Sequence, residues 1–262
     1  MPNSADWDRW FTEFVAIWPI VLRSEIFHIC RCNATVLFTG EGGVGKEFAA
    51  RTVHEWSERA KQPFVAVNCA SGSEAFLESE LFGLKGTFNG AYRDEPGKLQ
   101  LGRGGTICFD EVAALSLRMQ GLLYRFLKTR EVHSIGGGVT KRINARIIST
   151  SSRDLTYMVA EHSLREDLYY RLNVVNIRVP PLRERREDIP LFLQHFITRL
   201  AGAANRGVSP RALAALAEYE WPGNVRELQN VVERLVTSVP ILLRPIEVED
   251  LPHEIRSGWH SS

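Results

Sequence analysis

The chain has 262 residues, 44% of them hydrophobic, so it can bury a sizeable core and is predicted to be a packed globular protein. Its 32 basic and 31 acidic residues leave a net charge of +1, which excludes a broad positive field for capturing DNA. No apolar run is long enough to cross a membrane, and the tryptophan-rich start lacks the plan of a secretory signal. We therefore expect a cytoplasmic protein without a membrane partner.

The four cysteines and seven histidines do not form a metal-binding pattern. Cys30 and Cys32 have no matching second pair, and Cys69 and Cys108 lie in apolar, strand-like runs. The thiols are predicted to be free and buried, and any metal ion would have to arrive with a nucleotide.

Short β-branched runs alternate with helical patterns along most of the chain, which is typical of a parallel sheet covered by helices on both faces. Ligands of such sheets bind at the carboxyl ends of the strands. The predicted strands are ATVLFTG (34–40), PFVAVNC (63–69), GGTICFDE (104–111), NARIISTSS (144–152) and VVNIRVPPL (174–182).

The pattern changes near Pro181 to Pro190, after which only helical patterns follow, one of them starting at Ser209–Pro210. The fold class is therefore α/β with a small C-terminal helical domain. We expect an N-terminal helical lead-in over residues 1–33, an α/β core over 34–185, and a helical lid with a tail over 186–262.

A glycine-rich stretch, GEGGVGKE, lies between the first predicted strand and a helix. Backbone N–H groups and a helix N-terminus would meet there, an arrangement that suits phosphate, and the lysine would reach the outer phosphates. The alternative is a tight turn that needs glycine, but this leaves the lysine unexplained. The candidate nucleotide-binding residues of this loop are Gly40, Glu41, Gly42, Gly43, Val44, Gly45, Lys46 and Glu47.

Two carboxylates, Asp110 and Glu111, follow a buried strand in GGTICFDE. Asp110 could hold Mg²⁺, and Glu111 could orient or deprotonate a water molecule that attacks the nucleotide. The alternative is a solvated turn. The chain has no N-K-x-D motif, which a GTPase would use to read the base, so ATP is the expected nucleotide.

Three arginines stand out near other motifs. Arg165 and Arg171 lie six residues apart in LREDLYYRLNVV, and either they are surface ion-pair partners or they reach the nucleotide of a neighbouring subunit. Arg226 lies in WPGNVRELQN, where the alternative is an ion pair with Glu227 or Glu233.

From about Ala34 to Asn230, these motifs in this order resemble the AAA+ ATPase domain of bacterial enhancer-binding proteins, which activate sigma-54 RNA polymerase. The resemblance implies a P-loop fold with ATP and Mg²⁺ bound between the subunits of a hexameric ring. It also implies that Asn68 is a switch residue that holds the catalytic glutamate, and that Arg226 is a sensor of the nucleotide.

The stretch ELFGLKGTFNGA resembles the family's loop that contacts sigma-54, G-A-F-T-G-A, with one residue fewer before it. Two positions depart from that pattern, since threonine replaces the alanine and asparagine replaces the threonine that makes the contact, so recognition could be weakened or redirected. The alternative is a glycine turn with a buried phenylalanine. The candidate partner-binding residues are Gly86, Thr87, Phe88, Asn89, Gly90 and Ala91.

Two further departures concern the nucleotide. Val44 replaces a usual threonine, and Ser151 and Ser152 stand where the family has threonine followed by asparagine or histidine as a sensor. Because the Ser152 side chain is shorter, we expect slower coupling of hydrolysis to loop movement.

The sequence shows neither a receiver-like domain before the core nor a helix-turn-helix after the lid, so DNA would be reached through a partner or a missing domain. The leading function is a ring-forming ATPase that remodels the sigma-54 RNA polymerase holoenzyme. The alternative is an ATP-binding regulatory or inhibitory subunit of a homo- or hetero-oligomeric ring.

Overall fold

The structure, a computed structural model, describes residues 20–88, 91–137, 140–202, 207–238 and 244–257, and the side chains of these except at 20–23 and 86–94. Its described residues form two compact units. The core unit comprises Ser24–Gly40 and Lys46–Arg178. The lid unit includes Glu41–Gly45 and Val179–Ser262.

A five-stranded parallel sheet forms the centre of the core unit. All five predicted strands are confirmed, because their β-branched and aromatic residues suit burial within a sheet. In spatial order across the sheet, the strands are β2 (Phe64–Asn68), β5 (Thr106–Asp110), β8 (Arg146–Ser151), β1 (Val36–Thr39) and β9 (Val175–Arg178).

Helices that pack around this sheet begin at residues that favour a helix start. Ser73, Ser116 and Asp154 accept hydrogen bonds from backbone N–H groups of the first turn, as N-cap residues do. The helices of the core unit are α1 (Ile20–Cys30, from Ser24 onward), α2 (Lys46–Glu55), α3 (Glu74–Phe82), α4 (Lys98–Leu101), α5 (Leu117–Thr129), α6 (Leu155–Ala160) and α7 (Glu166–Leu172).

Two small antiparallel pairs complete the core unit. The first joins β3 (Gly83–Phe88) to β4 (Ala91–Pro96), and the second joins β6 (Glu131–Val132) to β7 (Lys141–Arg142). Backbone hydrogen bonds connect Ile135 to the base of the β3–β4 hairpin. The hairpin is therefore anchored where it leaves the core.

The lid unit is helical, as predicted. Ser209 caps the helix that begins at Pro210, because its side chain accepts a hydrogen bond from the Ala212 N–H. Trp221 is fully buried and donates its indole N–H to the Leu216 carbonyl at 2.8 Å. The helices are α8 (Ile189–Ala201), α9 (Pro210–Glu218), α10 (Asn224–Ser238) and α11 (His253–Ser257).

All four thiols are free, as predicted, but Cys32 is exposed rather than buried because it follows the end of α1. Burial raises the pKa of Cys30 to about 11 and that of Cys69 to about 12. No cluster of metal-binding side chains occurs among the described residues. None of the helices in this part of the chain is both long and apolar enough to cross a membrane.

Candidate functional site

The sheet order of the core unit brings three chain segments together. β8 lies between β5 and β1, and the carboxyl ends of parallel strands lie at one edge of a sheet. Lys46 begins the helix that follows β1, Glu111 directly follows β5, and Ser152 directly follows β8. The Lys46 ammonium group donates hydrogen bonds to the Gly40 carbonyl at 2.9 Å and to the Ser152 hydroxyl at 2.6 Å.

Glu111 is held by the same groups. One carboxylate oxygen lies 3.1 Å from the Lys46 nitrogen and 2.5 Å from the Ser152 hydroxyl, and the other accepts the Ser152 N–H at 2.8 Å. Burial would raise the pKa of Glu111, but the Ser152 hydrogen bonds and the Lys46 charge outweigh it, so the pKa is lowered. The side chain is therefore a carboxylate at neutral pH, as a general base must be.

Thr150 joins the two acids, although the sequence pattern did not single it out. Its hydroxyl donates to the Asp110 carboxylate at 2.6 Å and accepts the Glu111 N–H at 2.9 Å. A hydroxyl-rich strand end beside two acids is the signal that could have identified it. One oxygen of Asp110 has no hydrogen bond among the described residues. A single carboxylate fits Mg²⁺, which keeps several waters and binds phosphate oxygens.

Glu47, which replaces the usual serine or threonine, is half exposed and lies 3.6 Å from Arg51, one turn further along α2. A carboxylate can also bind Mg²⁺, so the residues present fit this ion.

Residues 41–45 of the predicted phosphate loop (residues 40–47) have partners that no sequence pattern indicated. Both oxygens of Glu41 accept hydrogen bonds from the Arg183 guanidinium, at 2.8 and 2.5 Å. Asn224, which is fully buried, donates to Glu41 and to the Gly42 carbonyl, both at 3.1 Å. Arg185 donates to the Val44 carbonyl at 2.8 Å, and burial lowers the pKa of Arg185 to about 10. These contacts hold the loop's backbone in place.

Gly43 requires glycine, since its φ is +78° and a Cβ atom there would lie 2.4 Å from the Gly223 carbonyl oxygen. The same Cβ position lies 3.1 Å from Cβ of Arg226, so the predicted sensor is next to the phosphate loop. Arg226 is exposed, and neither of the alternative ion pairs, with Glu227 or Glu233, occurs between these described residues.

Neither Arg165 nor Arg171 has a hydrogen bond or ion pair with Asp110 or Glu111 in the described part of the chain. Arg165 is exposed and makes a two-point contact with Asp167, whose pKa these hydrogen bonds lower. Arg171 lines a cavity of about 360 Å³ in the core unit.

Arg130 lines the same cavity as Arg171. Burial lowers the pKa of Arg130, and the nearby positive charges of Arg171 and Arg59 lower it further. The cavity wall is therefore cationic near Arg171.

Asn68 ends β2 and is exposed. Its side-chain oxygen accepts the Ala70 N–H at 2.9 Å, and no contact with Glu111 occurs between these described residues. The predicted sigma-54 loop lies on the β3–β4 hairpin, where Phe88 pairs with Ala91 through the backbone. Asn89 and Gly90 lie outside the described residues, as do the side chains of Thr87 and Phe88.

Comparison with protein families identifies both units. Residues 21–178 match the family described as the Sigma-54 interaction domain. The chain belongs to this family. Residues 183–262 match the AAA+ ATPase lid domain.

Curated relatives of this sigma-54 interaction domain protein are regulators. The chain is 43% identical to the regulatory protein AtoC of Escherichia coli K12, over 98% of this chain and 56% of AtoC. It is 46% identical to the Nif-specific regulatory protein of Herbaspirillum seropedicae, over 82% of this chain and 40% of that protein. The chain thus spans about half the length of these relatives.

Solved structures of NtrX from Brucella abortus in complex with ADP and with ATP are also similar. Each has a TM-score of 0.81 and 37% identity, over 90% of this chain and 54% or 55% of NtrX. Hsp104 with casein, from S. cerevisiae, has a TM-score of 0.60 at 19% identity over 78% of this chain and 40% of that chain, which shows a shared AAA+ fold alone.

Proposed function

We propose that this chain is an ATPase domain that uses ATP hydrolysis to remodel sigma-54 RNA polymerase in the cytoplasm. The observation that carries the proposal is the contact of Lys46 with Glu111, at 3.1 Å, beside Asp110, in a chain of the sigma-54 interaction domain family. A lysine, an acid for Mg²⁺ and an acid for water are the parts that phosphoryl transfer to water requires.

Lys46, Asp110 and Glu111 have separate roles in the proposed reaction. Lys46 and the backbone N–H groups of the phosphate loop would bind the phosphates, and Asp110, oriented by Thr150, would hold Mg²⁺, which neutralises charge on the phosphate oxygens when bound. Glu111 would orient the attacking water and accept its proton.

The arginines complete the proposed site from a second subunit. Arg165 and Arg171 would stabilise charge on the transferred phosphate in a neighbouring subunit of a hexameric ring, and Arg226 would sense the nucleotide of its own subunit. The exposure of Arg165 and Arg171 supports this role, because a group offered to another chain must be accessible.

A regulatory or inhibitory subunit is the second candidate function. The sequence departures at Thr87 and Asn89 favour it, since a changed contact loop could leave ATP binding intact and lose the polymerase. Such a subunit would still assemble into a ring.

ATPase and polymerase-binding assays on one preparation test both candidates. Lys46→Ala should abolish nucleotide binding because it removes the charge on the phosphates, whereas Glu111→Gln should bind ATP and stop turnover. Wild-type protein should bind purified sigma-54 with a trapped transition-state analogue and not with ADP. Hydrolysis without sigma-54 binding would favour the regulatory subunit, and comparable turnover in wild type and Glu111→Gln would remove Glu111 from the mechanism.

A further inference from the structure

The Lys46 ammonium group contacts several acceptors of the protein itself. Among them are the Gly40 carbonyl, the Ser152 hydroxyl and the Glu111 carboxylate, at 2.9, 2.6 and 3.1 Å. Lys46 is buried, with 5% of its surface exposed, so its charge needs a counter-ion. The Glu111 carboxylate supplies this counter-ion.

Ser152 connects the two charged groups. Its hydroxyl accepts from Lys46 and donates to Glu111, and its backbone N–H donates to the other carboxylate oxygen. This arrangement is possible because β8 lies between β1 and β5 in the sheet. Ser152 directly follows β8, so it lies between Glu111, which directly follows β5, and Lys46, which begins the helix after β1. In contrast, the side-chain oxygen of Asn68 accepts a hydrogen bond from the Ala70 N–H.

We propose that Ser152 is a positioning residue that latches Glu111 to Lys46, and that the phosphates of an incoming nucleotide open this latch. The inference rests on the proposed nucleotide binding. A phosphate at Lys46 repels the adjacent Glu111 carboxylate, because the two groups carry the same charge and compete for the same donor. Binding of nucleotide thereby frees Glu111 to face water.

Nucleotide affinity measures the latch, since every nucleotide that needs Lys46 must open it first. ADP is the probe because it has no γ-phosphate. A contact between Ser152 and the γ-phosphate therefore cannot affect the measured affinity. Ser152→Ala removes the hydroxyl that joins Lys46 to Glu111 and should tighten ADP binding about five- to tenfold, which corresponds to the net contribution of one typical hydrogen bond. Ser152→Thr keeps a hydroxyl and should restore an affinity close to that of the wild type.

The Glu111→Ala background separates a latch from a structural effect. There, Ser152→Ala should change ADP affinity by less than about twofold, because two residues that act through one contact are not additive. Isothermal titration calorimetry gives the dissociation constants, and circular dichroism shows that each variant is folded.

Three results would overturn the latch. The first is unchanged or weaker ADP binding by Ser152→Ala, and the second is a tightening that persists in the Glu111→Ala background. The third is tighter binding by Asn68→Ala and not by Ser152→Ala, which would assign the holding role to Asn68. A wild-type chain that bound no ADP would instead contradict the proposed function itself.

Discussion

Glu111 has a left-handed backbone conformation, with φ +57°, which is uncommon for residues other than glycine. Such a conformation costs free energy and persists only where neighbouring groups hold it. Here the Glu111 N–H is bound by the Thr150 hydroxyl, and its carboxylate by Lys46 and Ser152. The backbone therefore aims the candidate base at the place where the phosphates would bind.

Gly43 gives a prediction for the phosphate loop. Gly43→Ala should lower the melting temperature of the nucleotide-free protein by about 4 °C or more, because a positive φ costs about 1–3 kcal/mol and the new Cβ would collide with the Gly223 carbonyl oxygen. Gly42→Ala is the matched control, since nothing lies within 4 Å of a Cβ there. Equal melting temperatures for the two variants, measured by calorimetry, would contradict this account.

His54 gives a prediction for pH. Burial, followed by the charge of Arg51 and more weakly that of Arg146, lowers the pKa of His54 to about 4 from its ordinary 6.5, and the ring lies 2.9 Å from the Thr106 hydroxyl. Between these pH values the unfolded chain binds more protons than the folded chain, so stability is complete above pH 6.5 and is lost as the pH falls towards 4.

When the pH is lowered from 7.5 to 5, protonation of His54 in the unfolded chain should lower the free energy of unfolding by about 2 kcal/mol. Urea denaturation at the two pH values measures this change. His54→Gln should remove that part of the pH dependence. The control, His28→Gln at an exposed histidine, should keep it. An unchanged pH dependence in His54→Gln would assign the acid sensitivity to other groups.

At the scale of elements, the β3–β4 hairpin is joined to the core through its base. Gly83 begins it with φ +81°, where a Cβ would lie 2.4 Å from the Glu95 carbonyl oxygen, and Ile135 bonds the adjacent backbone. The backbone pairing continues to Phe88 and Ala91. Changes near the tip should therefore leave the base, and the fold of the core unit, intact.

The hairpin's predicted role can be tested at Phe88. Phe88→Ala should weaken binding to sigma-54 in the trapped transition state by about 30-fold or more, since an aromatic anchor contributes about 2 kcal/mol, while ATP binding remains. Phe76→Ala, at an exposed phenylalanine of α3, is the control and should bind as the wild type does. If Phe88→Ala unfolds the protein, the phenylalanine belongs to the core. Undiminished sigma-54 binding would remove the hairpin from the interface.

For the whole molecule, the question is whether one subunit suffices for hydrolysis. Arg165 is paired with Asp167, and Arg171 lines a cavity with Arg130, so in the described residues neither arginine lies against Glu111. In the proposed function, a second copy of the chain would add the arginine that stabilises charge on the transferred phosphate.

Mixing two inactive variants tests this requirement. Arg165→Ala and Glu111→Gln should each be inactive, and the mixture should recover part of the wild-type ATPase activity, because some interfaces then join an intact acid to an intact arginine. The rate of phosphate release measures recovery. A specific activity independent of protein concentration, in a demonstrated monomer, would contradict the shared site.

Much of the fold could be predicted from local patterns. The five strands follow from runs that suit burial on both faces, and the start of α9 follows from a serine and a proline that favour a helix N-terminus. The family could be predicted as well, because its motifs are contiguous stretches whose order survives in the chain. The positions of Asp110 at the end of a strand, and of Lys46 and Glu111 beyond strand ends, follow from the same patterns.

Contacts between distant segments depend on packing and could not be read from the chain. The insertion of β8 between β1 and β5 places Ser152 between Lys46 and Glu111, and helix packing in the lid unit brings Arg183 and Asn224 to Glu41. These contacts join residues that lie 41 to 183 positions apart along the chain, so no local periodicity relates them. The residue types predicted which chemistry is present, while strand order and helix packing decided which partner each group has.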